Sequence, residues 1–502
     1  MTPRHSVPLV VLSLFLLASA TRATPAREIL GATHAAGKYS FTQEDFLNEG
    51  ADELLRMGTR VIKVWFDLNG ESPYPFNSEW GEPAEDFAAL ARHPYYQELF
   101  AKRFTTFILV TSRRSGAPDF IDGMSREEIE NERKVMYDLA VHLLTTYQGT
   151  GKTFVVQNWE GDHLLRRGLE PGEEPDRVRL RGMVDWWNAR QAGVTQARLD
   201  VKARGVTVAH AAEVNLLRDA IEGKVTAANN VVPLTRADLY SYSSWDVEFD
   251  RAGLTRALDH LADKAPDSSL YGSRNIYLGE YGAAKDHLPE GVDRAEVVRE
   301  LTDAAVGWGA RWVVYWQLYC NEPRNQFTGR PTNEDLRGFW LVRPDGYRPR
   351  MYTDLQREMT TSLHRVWFRG PGGDFVAPEG GGGGTVWVSE SRPTPLSALV
   401  LRDLDGGRLR NGDRLRILAH NGMYFGEERD GRVLADRRVA GEDETFVIRK
   451  LGATGRGVLG PRDRLVIQAP SGRYIGAGED GTLRVLGMEP EGRGLFGIVG
   501  GE

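Results

Sequence analysis

The stretches Thr153-Phe154-Val155-Val156-Gln157-Asn158-Trp159-Glu160 and Ile276-Tyr277-Leu278-Gly279-Glu280 decide how this chain is read. Each is a short β-branched and aromatic run that ends by delivering a glutamate. A run that is apolar on both faces is covered on both faces, which is the condition of a parallel strand packed under helices. Six similar runs surround these two, at residues 29–32, 60–66, 106–111, 206–211, 238–241 and 312–316. Helical patterns fill the gaps, among them 42–57, 125–147, 177–204 and 293–308. Eight strand–helix units over residues 28–369 predict an α/β fold, a (β/α)8 TIM barrel. A doubly wound open sheet would want a Gly-rich phosphate turn after its first strand, and Gly31-Ala32-Thr33-His34-Ala35-Ala36-Gly37 supplies none.

In such a barrel the reacting groups sit just past the carboxyl ends of the strands. The fourth strand delivers Glu160 there and the seventh delivers Glu280, on opposing sides of the mouth. Two carboxyls across a pocket are the minimal equipment for glycoside hydrolysis. One must be protonated to donate to the leaving oxygen, and the other ionised to attack the anomeric carbon.

With these strand ends the chain resembles the clan-A, cellulase-like glycoside hydrolases, retaining enzymes on a (β/α)8 barrel. The resemblance covers residues 28–369. It implies Glu160 as acid/base and Glu280 as nucleophile, and a β-linked poly- or oligosaccharide as substrate. It also implies Trp316, in Val313-Val314-Tyr315-Trp316, as a sugar platform, and Tyr242, with Tyr240 as the other choice, as hydrogen-bond partner of the nucleophile. His34 is expected to line the pocket. Two departures stand out. The clan has Asn directly before its acid/base Glu, whereas here Trp159 separates Asn158 from Glu160; Asn158 is expected to reach the sugar 2-hydroxyl. Where the clan often carries an Arg late in strand two, this chain has Lys63, a point charge that cannot fork. Glu213 and Asp162 are spare carboxylates on which a different barrel hydrolase would run. The competing class is a carbohydrate-binding protein on a catalytically silent barrel.

Composition narrows the field. The 502 residues hold 1 cysteine, which excludes an internal disulfide framework and Cys-based metal centres. The 10 histidines are scattered with no His-Glu-x-x-His, so neither a catalytic metal nor another cofactor is expected. A net charge of −7 lacks the basic footprint of a nucleic-acid binder. At the start, the apolar run 7–17 and Ala18-Ser19-Ala20 read as an export signal over residues 1–20. A secreted or periplasmic protein with no remaining membrane segment is expected.

Glycines cluster at 370–373 and 380–384, and residues 370–384 read as a flexible linker. Beyond it, residues 385–502 lose helical periodicity and repeat at an offset of 50. Asp413-Arg414-Leu415-Arg416-Ile417 aligns with Asp463-Arg464-Leu465-Val466-Ile467, and Tyr424 with Tyr474. The repeats resemble those of fascin-like and ricin-like β-trefoils, which usually have three units. The third is expected within 386–409 or is missing, and a small β-sandwich is the other option. Such domains bind polysaccharide or protein partners, and the resemblance extends that expectation here.

Overall fold

The computed structural model describes residues 23–112, 120–490 and 492–500. The export signal expected over residues 1–20 lies outside them.

Eight strands close into a parallel barrel: β1 (Leu30–His34), β2 (Val61–Asp67), β3 (Thr106–Ser112), β4 (Lys152–Gln157), β5 (Val206–Val214), β6 (Leu239–Ser243), β7 (Ile276–Tyr281) and β8 (Val313–Tyr315). β8 returns to β1 through Leu30↔Val313, which removes every edge. Alternation sorts the side chains into two cores. Val61, Val155, Ala211, Leu239 and Tyr277 fill the interior. Ile62, Val156, Ala212, Tyr240 and Leu278 face out, under the helices.

The helices begin where short acceptors cap them. Asp45 caps α1 (Phe46–Met57), and Ser125 with Glu128 forms a capping box on α2 (Arg126–Thr146). Asp176, Asp250 and Asp293 cap α3 (Arg177–Val201), α4 (Arg251–Lys264) and α5 (Arg294–Trp308). A last helix, α6 (Arg350–Glu358), leads out of the barrel. Among the described residues no helix is long and apolar enough to cross a membrane.

The second unit is antiparallel and starts earlier than composition suggested. Its strands are β9 (Ser362–Arg369), β10 (Phe375–Pro378), β11 (Gly384–Glu390), β12 (Leu399–Asp403), β13 (Arg414–Leu418), β14 (Tyr424–Glu427), β15 (Val433–Arg437), β16 (Phe446–Lys450), β17 (Leu465–Gln468), β18 (Ile475–Ala477), β19 (Leu483–Val485) and β20 (Gly497–Gly500). Two corrections follow. Residues 370–384 are no free linker: Gly370-Pro371-Gly372-Gly373 turns between the paired Arg369 and Phe375, and β10 lies inside the stretch. The strands also fall into three groups of four, and the first group runs from Ser362 to Asp403, well ahead of residue 386. Each group contains a hairpin, and the hairpins touch one another at Thr385↔Leu434, Trp387↔Thr482 and Arg432↔Arg484.

The two units are fastened by buried charge. Arg402 of β12 is 1 % exposed and bonds Asp303 of α5 at 2.9 Å, with Glu358 at 3.0 Å. Residues Thr24 and Pro25 pair with Leu363 and Ser362 of β9, and β20 pairs with the far half of the same strand.

Candidate active site

Inside the barrel, one layer of polar side chains lies above the apolar one. Lys63 is the inward residue between Val61 and Trp65 on β2. Its ammonium sits 3.0 Å from Glu213 Oε2 and 2.8 Å from Glu280 Oε1, with Gly279 O at 3.3 Å. Burial alone would lower its pKa; the flanking Glu213 and Glu280 carboxylates outweigh that and hold it above its ordinary value.

Glu213, the last inward residue of β5, is wholly buried. Its Oε2 also accepts from Gln157 Nε2 at 3.0 Å and Ser241 Oγ at 2.8 Å, and its Oε1 accepts from the Glu160 N–H at 3.2 Å. A carboxylate bonded on every side by protein donors has no room for a substrate. Glu213 therefore supports the site from below, and the reading of it as the reacting acid is set aside. Asp162 is likewise occupied, its carboxylate taking the N–H groups of Asn215, Leu216 and Ala227.

Glu280 reaches the interior through a break in the alternation. The register passes from Tyr242↔Leu278 to Ser243↔Glu280, so Gly279 is an extra residue, a β-bulge. Without it Glu280 would share the outward side of Leu278. Gly279 is required there, because a Cβ would lie 1.9 Å from Ser241 Oγ and 2.8 Å from Glu213 Oε2. Once inside, Glu280 Oε2 accepts from Trp245 Nε1 at 3.2 Å and lies 3.0 Å from Ser243 Oγ. Burial, only partly countered by Lys63, pushes its carboxyl up to about 7, and the neighbouring Glu213 and Glu160 push the same way.

Glu160 follows β4 and is 4 % exposed. Its Oε1 accepts from Ser243 Oγ at 2.8 Å, and its Oε2 meets His163 Nδ1. That bond lifts the His163 pKa against partial burial. The two glutamates expected from the strand ends thus meet at one serine hydroxyl.

The remaining expected site residues divide. Trp316 stands at the end of β8, 6 % exposed, with its ring 6.5 Å from that of Trp65 on β2. Asn158 is close to the pair, but its amide is occupied: Oδ1 accepts from Glu213 N at 3.1 Å and Nδ2 donates to Glu213 O at 3.2 Å. It clamps β4 to β5 and does not reach toward a sugar. Trp159 turns to solvent and stacks on His163 at 5.7 Å.

Tyr242 does not bond Glu280. Leu239, Ser241 and Ser243 are the inward residues of β6, and Tyr242 faces the helices with its hydroxyl on Asp246. Tyr240 shares that outward face and bonds Thr235 at 3.0 Å. His34 fails for the same reason. It follows Leu30 and Ala32 on the outer face of β1, where Nε2 donates to Phe46 O at 2.7 Å among Phe46, Tyr74 and Tyr319. The residues that sequence reading missed are Ser243, Trp245 and Gln157. Strict alternation from Leu239 would have found Ser243.

In sequence, no protein-family model and no curated protein matches the chain. Among solved structures it is similar to a Bacteroidetes-affiliated GH5 cellulase at 13 % identity, covering 67 % of this chain and 91 % of that one, with TM-score 0.41. It is similar to a GH5 protein of Bifidobacterium longum in complex with Manb1-4GlcNAc at 12 % identity, covering 66 % and 77 %, with TM-score 0.45. It is also similar to a GH39 β-xylosidase of Caulobacter crescentus at 13 % identity, covering 82 % and 80 %, with TM-score 0.43.

Proposed function

We propose that the chain is an exported retaining glycoside hydrolase acting on β-linked poly- or oligosaccharides, with Glu280 as nucleophile and Glu160 as acid/base. The observation that carries this reading is Ser243 Oγ, held 2.8 Å from a Glu160 oxygen and 3.0 Å from a Glu280 oxygen. Laid end to end, the two bonds cap the separation of those oxygens at about 6 Å, below the ~6.5–9.5 Å that a water-activating inverting pair needs. A hydroxyl also has one proton to give. It can donate to one carboxylate only, and the other contact is favourable when the facing carboxyl carries a proton. The geometry suits a pair that shares a single proton, which is the resting state a retaining hydrolase requires.

The steps follow from the contacts. Glu280 attacks the anomeric carbon while the bond to the leaving oxygen breaks and Glu160 protonates that oxygen. Glu160, now ionised, takes a proton from water. The water oxygen then displaces Glu280 from the anomeric carbon. Lys63 and the Trp245 N–H hold the Glu280 oxygens in place as charge leaves and returns. Trp316 and Trp65 offer ring faces on which a pyranose stacks. The β linkage rests on the resemblance of the strand ends, and export on the apolar run 7–17 with Ala18-Ser19-Ala20. The three groups of four strands, with their mutually touching hairpins, are read as a β-trefoil that holds a polysaccharide or protein partner near the barrel.

The test is a panel of polysaccharides and aryl glycosides with the product anomers followed by NMR. Retained anomers are expected, and Glu280→Gln and Glu160→Gln should each lose turnover by orders of magnitude. Inverted products would remove the mechanism. Tight binding that Glu280→Gln leaves intact, with no sugar released, would mark a binding protein instead.

A further inference from the structure

The turn between β12 and β13 gathers three aspartates. Asp403 ends β12, Asp405 follows in the turn, and Asp413 immediately precedes β13. One carboxylate oxygen from each lies within 4.8 Å of the others, with Asp403 and Asp413 buried and Asp405 exposed. Asp403 Oδ1 is accounted for, since it accepts the N–H groups of Asp405 at 2.9 Å and Gly406 at 3.1 Å. Asp403 Oδ2 has no hydrogen-bond partner among the described residues, although Asp403 is wholly buried.

A second group faces the same oxygen. His364 on β9 is wholly buried, neither ring nitrogen has a hydrogen-bond partner among the described residues, and its Nε2 is 3.8 Å from Asp403 Oδ2. That is too long for a hydrogen bond. It is the edge that two ligands of one ion span with bonds of about 2.5 Å set about 100° apart. A buried carboxylate oxygen and a buried imidazole, each lacking a partner, are not left so in a stable fold without an ion or water between them.

The basic groups nearby sit on the outside. Arg456 Nη2 contacts Asp413 Oδ1 at 2.6 Å and Arg414 Nη2 lies 3.5 Å from Asp405 Oδ1, yet both arginine side chains are more than half exposed. Backbone N–H groups of Arg410 and Arg414 occupy one further lone pair each on Asp413 and Asp405.

We propose that Asp403, Asp405, Asp413 and His364 Nε2 bind one hard divalent cation, of the calcium or manganese class, that pins β9 to the β12–β13 turn. The three carboxylates suit hard ions such as calcium and manganese, the imidazole favours manganese of the two, and the set holds no thiolate. The scattered histidines gave no sign of it in sequence, because the ligands come together only when β9 pairs with β12.

The experiment uses the full chain stripped with chelator and titrated separately with Ca²⁺ and Mn²⁺ by calorimetry, with thermal melts alongside. Binding of one ion per chain is expected for at least one of the two metals, raising the melting midpoint by several degrees. Asp405→Asn, on the exposed ligand, should leave the metal-free midpoint unchanged and weaken binding about tenfold or more. Asp403→Asn and His364→Gln should weaken it further. Absence of binding by either ion up to about 1 mM, or binding that all three substitutions leave intact, overturns the site.

Discussion

Replacing Glu213 by Gln tests the electrostatics under the candidate site. Glu213 and Glu280 touch the same ammonium, at 3.0 and 2.8 Å, so their nearest oxygens are within about 6 Å of each other. At an effective dielectric constant of about 20, two charges at that distance repel by roughly 3 kcal/mol, or about 2 pKa units. With Glu213 neutral, the Glu280 carboxyl should fall from about 7 toward the ordinary carboxylate range, and Lys63 would then serve Glu280 alone. The assay is kcat/KM against pH on an aryl β-glycoside. The acid limb should move down by 1–2 units, roughly as calculated, with the apparent values belonging to the Glu160–Glu280 pair. The substitution also has a structural cost. If the Gln oxygen keeps Lys63, Gln157 and Ser241, its NH2 faces the Glu160 N–H, and two opposed donors cost about 1–3 kcal/mol of stability. Melting in parallel separates that loss from the titration. An acid limb that stays put or moves upward in a folded variant refutes the reasoning.

Other consequences are simpler. Ser243→Ala removes a hydrogen bond shared by two acidic groups and should lower kcat/KM by roughly 10–150-fold without loss of fold; a change under twofold would deny Ser243 its positioning role. Burial depresses His34 to about 4, so the unfolded chain binds its proton first as pH falls below about 6.5. Stability should therefore drop by up to roughly 3 kcal/mol between pH 6.5 and 4, and urea midpoints of His34→Gln should show that much less acid sensitivity. Arg402→Ala leaves Asp303 and Glu358 facing each other without their cation and should cost about 3–5 kcal/mol in a melt; a loss below about 1 kcal/mol would mean the junction holds without it.

The barrel was legible because eight short runs were mostly apolar on both faces and alternated with helical patterns. Glu160 and Glu280 were legible as strand-end residues. What escaped was facing. Tyr242 and Ser243 are neighbours, and only a count in twos from Leu239 tells that the serine looks inward. The same count from Leu30 puts His34 outside. Glu280 breaks the count through the bulge at Gly279; the lone glycine marks where a bulge fits, but only pairing with the neighbouring strand places it. Lys63 showed as a departure from an expected Arg, but its partnership with Glu213 joins residues far apart in the chain. The glycines of 370–384 misled because turns within a sheet and free linkers draw on the same residue.

Strand β9 has one further consequence. Gly497–Gly500 runs along it from Arg369 to Val366, and Thr24–Pro25 takes up the same line at Leu363 and Ser362, in the same direction. The first and last paired segments are therefore successive pieces of one interrupted strand. Among the described residues, only the width of His364 and Arg365 on β9 separates Gly500 from Thr24 along that line. During synthesis that line stays half-filled until Gly497–Gly500 is made. A permuted chain that joins these ends and opens at an exposed turn, such as the one at Gly452, would keep every strand pairing described above.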